Sequence, residues 1–164
     1  MRLALFFLGA VVLVGSCGAQ SLPATEGETL GGHKVQVAQA VQGHEAVLIA
    51  GFSKEAGDGC GAWAKAIHGD AALRSAAVYQ LVMLEGAPRL LRPMIKSGMR
   101  KGLSEAEEEE FVILTQDDKL WRRYFGVDNE KDPWVVLLDA TGRVVWHGHG
   151  AARDLEQLLK QALR

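Results

Sequence analysis

Cysteine is scarce in this chain, with two in 164 residues, Cys17 and Cys60. A multi-bridge disulfide framework is therefore excluded. Excess charge of one sign is missing too, since 18 Lys and Arg face 20 Asp and Glu for a formal net charge of -2. That excludes the bulk positive field of a nucleic-acid-binding domain, and no nucleic-acid partner is expected. No apolar run reaches the about 20 residues that a membrane-crossing helix needs; the longest is residues 3–14. With 48% apolar and 23% charged residues, the composition excludes disorder and fits one domain with a real core.

What is present begins with an export pattern. Arg2 precedes the apolar run 3–14, and small residues follow, as in a signal peptide. The stretch VGSC (14–17) resembles the bacterial lipobox. That resemblance implies cleavage that leaves Cys17 as a lipidated N-terminus, holding the domain on a membrane surface. Ordinary cleavage after Ala19 and an uncleaved anchor are the other two routes, and all three place the domain outside the cytoplasm. The organisation expected is a signal peptide over 1–19, a tether over 20–28 and a domain over 29–164. If Cys17 carries lipid or leaves with the signal, Cys60 has no partner in its own chain.

The polar stretch SLPATEGETLGGHKV (21–35) reads as a tether followed by a turn. AVLIAGF (46–52) is a continuous apolar run, as in a central strand covered on both faces. A glycine-rich loop, SKEAGDG (53–59), leads to helix formers from Cys60 onward, and VYQLVML (78–84) is a second strand. Next comes a helix starting near Arg92, with Pro93 in its first turn. Leu91, Met94, Ile95 and Met99 fall on one face of it and Arg92, Lys96 and Arg100 on another. Ser104 and Glu107 have capping-box spacing for a short acidic helix. FVILT (111–115) is a third strand, and DDKLWRRYFGV (117–127) a short helix with acids at its start. PWVVLLDATGRVVWHGHG (133–150) is a hairpin about Asp-Ala-Thr-Gly. ARDLEQLLKQAL (152–163) closes as an amphipathic helix with Leu155, Leu158, Leu159 and Ala162 on one face. Strands alternating with helices imply crossovers and a parallel sheet, to which the hairpin adds antiparallel strands.

This order resembles the thioredoxin-like fold, in the redoxin branch with an extra N-terminal segment. AVLIAGFS, a loop and CGAW look like the first central strand and the start of the Cys-x-x-Cys helix. YFGVDNEKDPWVVLLDATGRVVWHGHG (124–150) looks like the family's helix end, cis-proline and final hairpin. The resemblance implies an α/β fold: a central mixed sheet flanked by helices, with a C-terminal β-hairpin and helix. It implies that Pro133 is a cis-proline opposite Cys60. A narrower resemblance, carried by LLRPMIKSGMRKGL (90–103), the tryptophan-bearing helix and the final hairpin, is to the assembly-factor family of the mitochondrial ATPase complex and its bacterial relatives. It implies assembly or chaperone-like binding rather than dithiol exchange.

The residues bear on the chemistry directly. A cysteine at a helix N-terminus is activated by the dipole and by unpaired N–H groups, which makes Cys60 the candidate thiolate. Asp58 opposes this by like-charge repulsion. A dithiol enzyme needs a resolving thiol, and three positions after Cys60 stands Trp63. An intramolecular disulfide at that spacing is impossible. One-thiol chemistry or an inert thiol remains for Cys60, and packing for Trp63. His147 and His149 share a strand face; with Cys60 they could hold copper or zinc, and otherwise they are surface imidazoles. Arg92, Lys96 and Arg100, with Lys101, could meet anionic headgroups or an acidic partner, or form a solvated face balanced by EAEEEE (105–110).

The leading expectation is a non-dithiol binding or assembly factor at a membrane. Its contact surfaces are the 60–63 loop with Trp63, then Pro133 and Trp134, and the helix of Arg92, Lys96 and Arg100. Its partners are a protein, such as a membrane-complex subunit, and the membrane surface through the lipid anchor. No cofactor or metal is assigned. The alternatives are a one-cysteine thiol oxidoreductase or peroxidase using Cys60, and copper delivery.

Overall fold

In the computed structural model, residues 21–152 are described. The run at 46–52 becomes the middle of a sheet because its side chains are apolar on both faces. In chain order the elements are β1 (Glu26–Thr29), β2 (Lys34–Gln36), α1 (Val37–Ala40), β3 (Ala46–Gly51), α2 (Lys54–Gly69) and β4 (Ala77–Met83). They continue with α3 (Arg92–Arg100), α4 (Glu105–Glu110), β5 (Phe111–Leu114), α5 (Asp118–Phe125), β6 (Trp134–Leu138) and β7 (Val144–His149). The described strands form one sheet in the order β2-β1-β5-β4-β3-β6-β7. β3, β4 and β5 run parallel through helical crossovers, while β6 is antiparallel to both β3 and β7. This is the mixed α/β architecture expected from the order of elements.

Alternate residues of β3 and β6 feed two cores. Leu48, Ala50, Val136 and Leu138 pack with Trp121, Tyr124 and Phe125 of α5. Val47, Ile49, Val135 and Leu137 pack on the opposite face with Cys60, Trp63, Ala64 and Ile67 of α2. The period of two along a strand sends neighbouring residues to these two layers.

The segment expected as a tether and turn differs. Glu26 to Thr29 form β1, paired antiparallel with both β2 and β5, so the span 20–28 overlaps a strand of the sheet. The cause is tertiary. The buried Thr25 hydroxyl donates to the Asp117 carboxylate at 2.8 Å and accepts from the Trp121 indole N–H at 3.2 Å. Asp117 takes a left-handed conformation, φ 65°, to open α5 beside it. These bonds anchor a polar segment that has no hydrophobic pattern of its own.

The Ser104–Glu107 capping box forms as expected. In the hairpin turn, the Asp139 carboxylate accepts from the N–H groups of Thr141 and Arg143 at 2.9 and 3.1 Å. The closing helix expected over 152–163 lies outside the described residues, apart from its first position.

Candidate functional site

α2 begins six residues before Cys60, not at it. Ser53 caps it by accepting from the Ala56 N–H at 3.3 Å, and Glu55 stands in the first turn. The loop expected over 53–59 is helical, and Cys60 sits inside the helix. There the unpaired N–H groups and the positive dipole end are out of reach, since both act within the first turn. The expected activation of Cys60 is corrected on this point. Its residue is 7% exposed, and burial pushes its thiol up to about 12. Asp58 is exposed on another face and is not the cause. A group so shifted is a thiol, not a thiolate, at physiological pH.

The residues expected as a contact surface beside it are also inside. Trp63 is buried in the α2 core and tilted against Trp146 with ring centroids 6.1 Å apart. Its indole N–H donates to the Gly150 carbonyl at 2.7 Å. Pro133 is buried, and its carbonyl accepts from the Gly150 N–H at 3.1 Å. A β-carbon added at Gly59 would come within 2.8 Å of the Pro133 ring. Pro133 therefore does lie beside the Cys60 helix. No peptide bond among the described residues is cis, however, so the cis form carried over for Pro133 is corrected. An X–Pro bond is trans unless its surroundings force it otherwise. Trp134 is buried, donates to the Asn129 carbonyl at 3.0 Å and stacks on His149 at 4.3 Å. Large rings end up inside because they remove the most apolar area from water.

The basic helix α3 is where the sequence put it, and each of its three cations has a partner within the fold. Arg92 donates to the carbonyls of Glu85 and Ala87, each at 3.1 Å. Lys96 meets the Glu28 carboxylate at 2.7 Å. Arg100 donates to the Leu30 carbonyl and pairs with Glu108 at 3.6 Å. These bonds tie the helix to the loop before it, to β1 and to α4, while the Arg100 side chain stays 45% exposed. Ile95 and Met99 pack on a small core with Leu30 and Ile113. Met94 leaves the apolar set that the spacing predicted and is 66% exposed.

His147 and His149 share a face, as their spacing predicts, standing opposite Val136 and Trp134 in the β6–β7 register. That is the α5 side of the sheet, whereas Cys60 belongs to the α2 side. The fold does not bring the three together. His149 instead pairs with Asp132 at 2.9 Å. His33 pairs with Glu109 at 2.9 Å and His68 with Glu110 at 3.0 Å.

A feature that the sequence reading missed lies on the α5 side. A cavity of about 800 Å³ opens between α5, α1 and β7, with Tyr124, Phe125, Val136 and Val145 in its lining. The Tyr124 hydroxyl is buried with no partner among the described residues, and burial pushes it up to about 12. Its signal in the sequence is faint, because residues from four separate segments build it.

No protein-family profile matches the chain, and no curated protein does. Solved structures do. A thiol:disulfide interchange protein from Bacteroides sp. superposes with TM-score 0.57 at 15% identity, covering 88% of this chain and 89% of that one. The pneumococcal exposed lipoprotein thioredoxin Etrx1 of Streptococcus pneumoniae gives 0.54 at 17%, covering 82% and 96%. BsSco, a member of the Sco family of cytochrome c oxidase assembly proteins, gives 0.51 at 11%, covering 84% and 90%. Identities this low speak for fold. The parallel β3–β4–β5 core, the antiparallel β6–β7 hairpin and these superpositions give the chain a thioredoxin-like α/β fold.

Proposed function

We propose that this protein is an exported, membrane-anchored thioredoxin-like scaffold that binds a protein partner, in the manner of an assembly factor, and carries out no dithiol exchange. The observation that supports this most is the state of Cys60. It is enclosed within α2, held as a thiol by burial, and followed three residues on by an indole whose N–H is committed to Gly150. Thiol exchange needs an accessible thiolate and, for turnover, a second sulfur. Cys60 offers no accessible thiolate, and no second cysteine stands among the described residues. The fold is shared with BsSco, whose family is described as assembly proteins, and with an exposed lipoprotein. The α3 segment adds its resemblance to the ATPase-complex assembly factors, so the partner class proposed is a subunit of a membrane complex. Cys17 is the proposed lipid attachment point.

The rate at which Cys60 is alkylated in the native protein, followed across pH, tests the reading. Negligible labelling at neutral pH, with full labelling after denaturation, is expected. A native thiolate titrating below the free value of about 8.5 would overturn it in favour of a one-cysteine thiol oxidoreductase.

A further inference from the structure

The cavity beside Tyr124 has a composition that runs against the rest of the molecule. The chain carries 20 acids to 18 Lys and Arg, yet no Asp or Glu lines this cavity, while Arg123, Arg143 and His147 do. Its walls are apolar, with Leu22, Phe125, Val136 and Val145. Val145 is 45% exposed at the mouth, on β7, the edge strand of the described sheet. Arg143 bonds Asp139 through Nε, but its side chain is 72% exposed, so the other guanidinium N–H groups have room for a phosphate. Apolar walls beneath a cationic rim suit an anionic amphiphile.

The chain path says where such a molecule would come from. Ser21 and Leu22 belong to the lining. Three residues separate Cys17 from Ser21 in the sequence, and the four steps between them reach at most about 14 Å when fully extended. A lipid on Cys17 would hold this cavity, rather than α3, against the bilayer.

We infer that the cavity and its β7 rim form the face that this protein lays on the membrane, taking an anionic phospholipid with its phosphate at Arg143 and its acyl chain against Leu22, Val136 and Val145. The inference rests on the proposed lipid anchor at Cys17. It replaces α3, whose cations are engaged within the fold, as the membrane-contacting element.

Sedimentation with vesicles tests it. The chain 18–164, without the signal and Cys17, retains the whole described core and lacks the anchor. On phosphatidylcholine vesicles containing phosphatidylglycerol it should bind about tenfold more tightly than on phosphatidylcholine alone, the factor that one or two surface cations supply. Arg143→Gln and Val145→Asp should each remove most of that preference. Both sites are exposed, and circular dichroism reports whether the fold is kept. Lys34→Gln, removing an exposed cation on β2 at the opposite sheet edge, should leave it unchanged. Equal binding to the two vesicle types, or equal loss in Lys34→Gln, overturns the proposal. The anchor is read separately, from the mass of the membrane-extracted protein. An unacylated Cys17 with vesicle preference intact removes the anchor alone, whereas an acylated Cys17 with no vesicle preference removes the cavity's role.

Discussion

Trp63 and Gly150, 87 positions apart, are joined by a 2.7 Å hydrogen bond from the indole N–H to the carbonyl oxygen. The Gly150 N–H in turn donates to Pro133. One short relay thus ties α2, the end of β7 and the start of β6 together. The side chain three residues after Cys60 is thus a tertiary fastening.

Removing that fastening should cost stability in two steps. Trp63→Phe keeps most of the ring volume and strips the Gly150 carbonyl of its donor, a loss of about 1–3 kcal/mol. Trp63→Ala also opens a cavity in the α2 core and should cost about 3–5 kcal/mol. Urea unfolding of the two variants beside the parent measures both, and a Trp63→Ala cost below that of Trp63→Phe would contradict the packing account.

The glycines of α2 should respond with opposite signs. At Gly57 and Gly61 an added β-carbon meets nothing within 4 Å. Alanine there gains helix propensity, so each substitution should stabilise by about 0.5–1 kcal/mol. At Gly59 the same carbon would strike the Pro133 ring at 2.8 Å. Gly59→Ala should destabilise by about 1–3 kcal/mol, as overpacking does. Thermal melts of the three single variants separate these outcomes.

Alkaline pH should unfold the protein partly through Cys60. Burial raises the folded thiol from 9.0 to about 12. Below pH 9 both states keep the proton and stability is unaffected. Between about 9 and 12 the unfolded chain releases it while the fold retains it, so stability falls as pH rises. Tyr124, raised by burial from 10.0 to about 12, adds in the same direction. Cys60→Ala should flatten the part of the decline that begins near pH 9, read from denaturation midpoints across that range.

At the acid end the hairpin turn should matter. Bonds from Thr141 and Arg143 hold the Asp139 carboxyl down at about 2, below its ordinary 3.8. Its contribution is present above about pH 4 and is lost as pH falls through 2. Asp139→Asn should lower the melting temperature at pH 6 and narrow the gap to the parent at pH 2. A gap that widens toward pH 2 would overturn this role.

Tyr124→Phe removes a buried hydroxyl that has no partner among the described residues. Deleting it forfeits no hydrogen bond and relieves an unsatisfied group, so stability should hold or rise by up to about 1 kcal/mol. A loss above 1 kcal/mol in calorimetry would show that the hydroxyl has a partner.

Much of the fold was legible where pattern and period agree. The apolar run of β3, the capping box at Ser104, Pro93 at the start of α3 and the Asp-Ala-Thr-Gly hairpin all stand where their residues place them. α2 was half legible. Ala56, Cys60, Trp63, Ala64 and Ile67 recur at helical spacing and are buried together, but Gly57 and Gly59 made the span 53–59 read as a loop. Gly59 is there because Pro133 comes too close for a side chain, a cause that lies 74 residues away in sequence.

The sequence by itself determined that Cys60 has no resolving thiol three residues on, that the charges nearly balance, and that strands and helices alternate, because identity, composition and period are local properties. Tertiary structure alone decided that Cys60 is a buried thiol and not an activated one. It also decided that Trp63, Pro133 and Trp134 are core, that the α3 cations pair with the preceding loop, β1 and α4, and that a cation-rimmed cavity opens beside Tyr124. Burial and ion pairing arise between segments far apart in the chain, and the free energy of a charged or reactive group depends on what those distant segments bring to it.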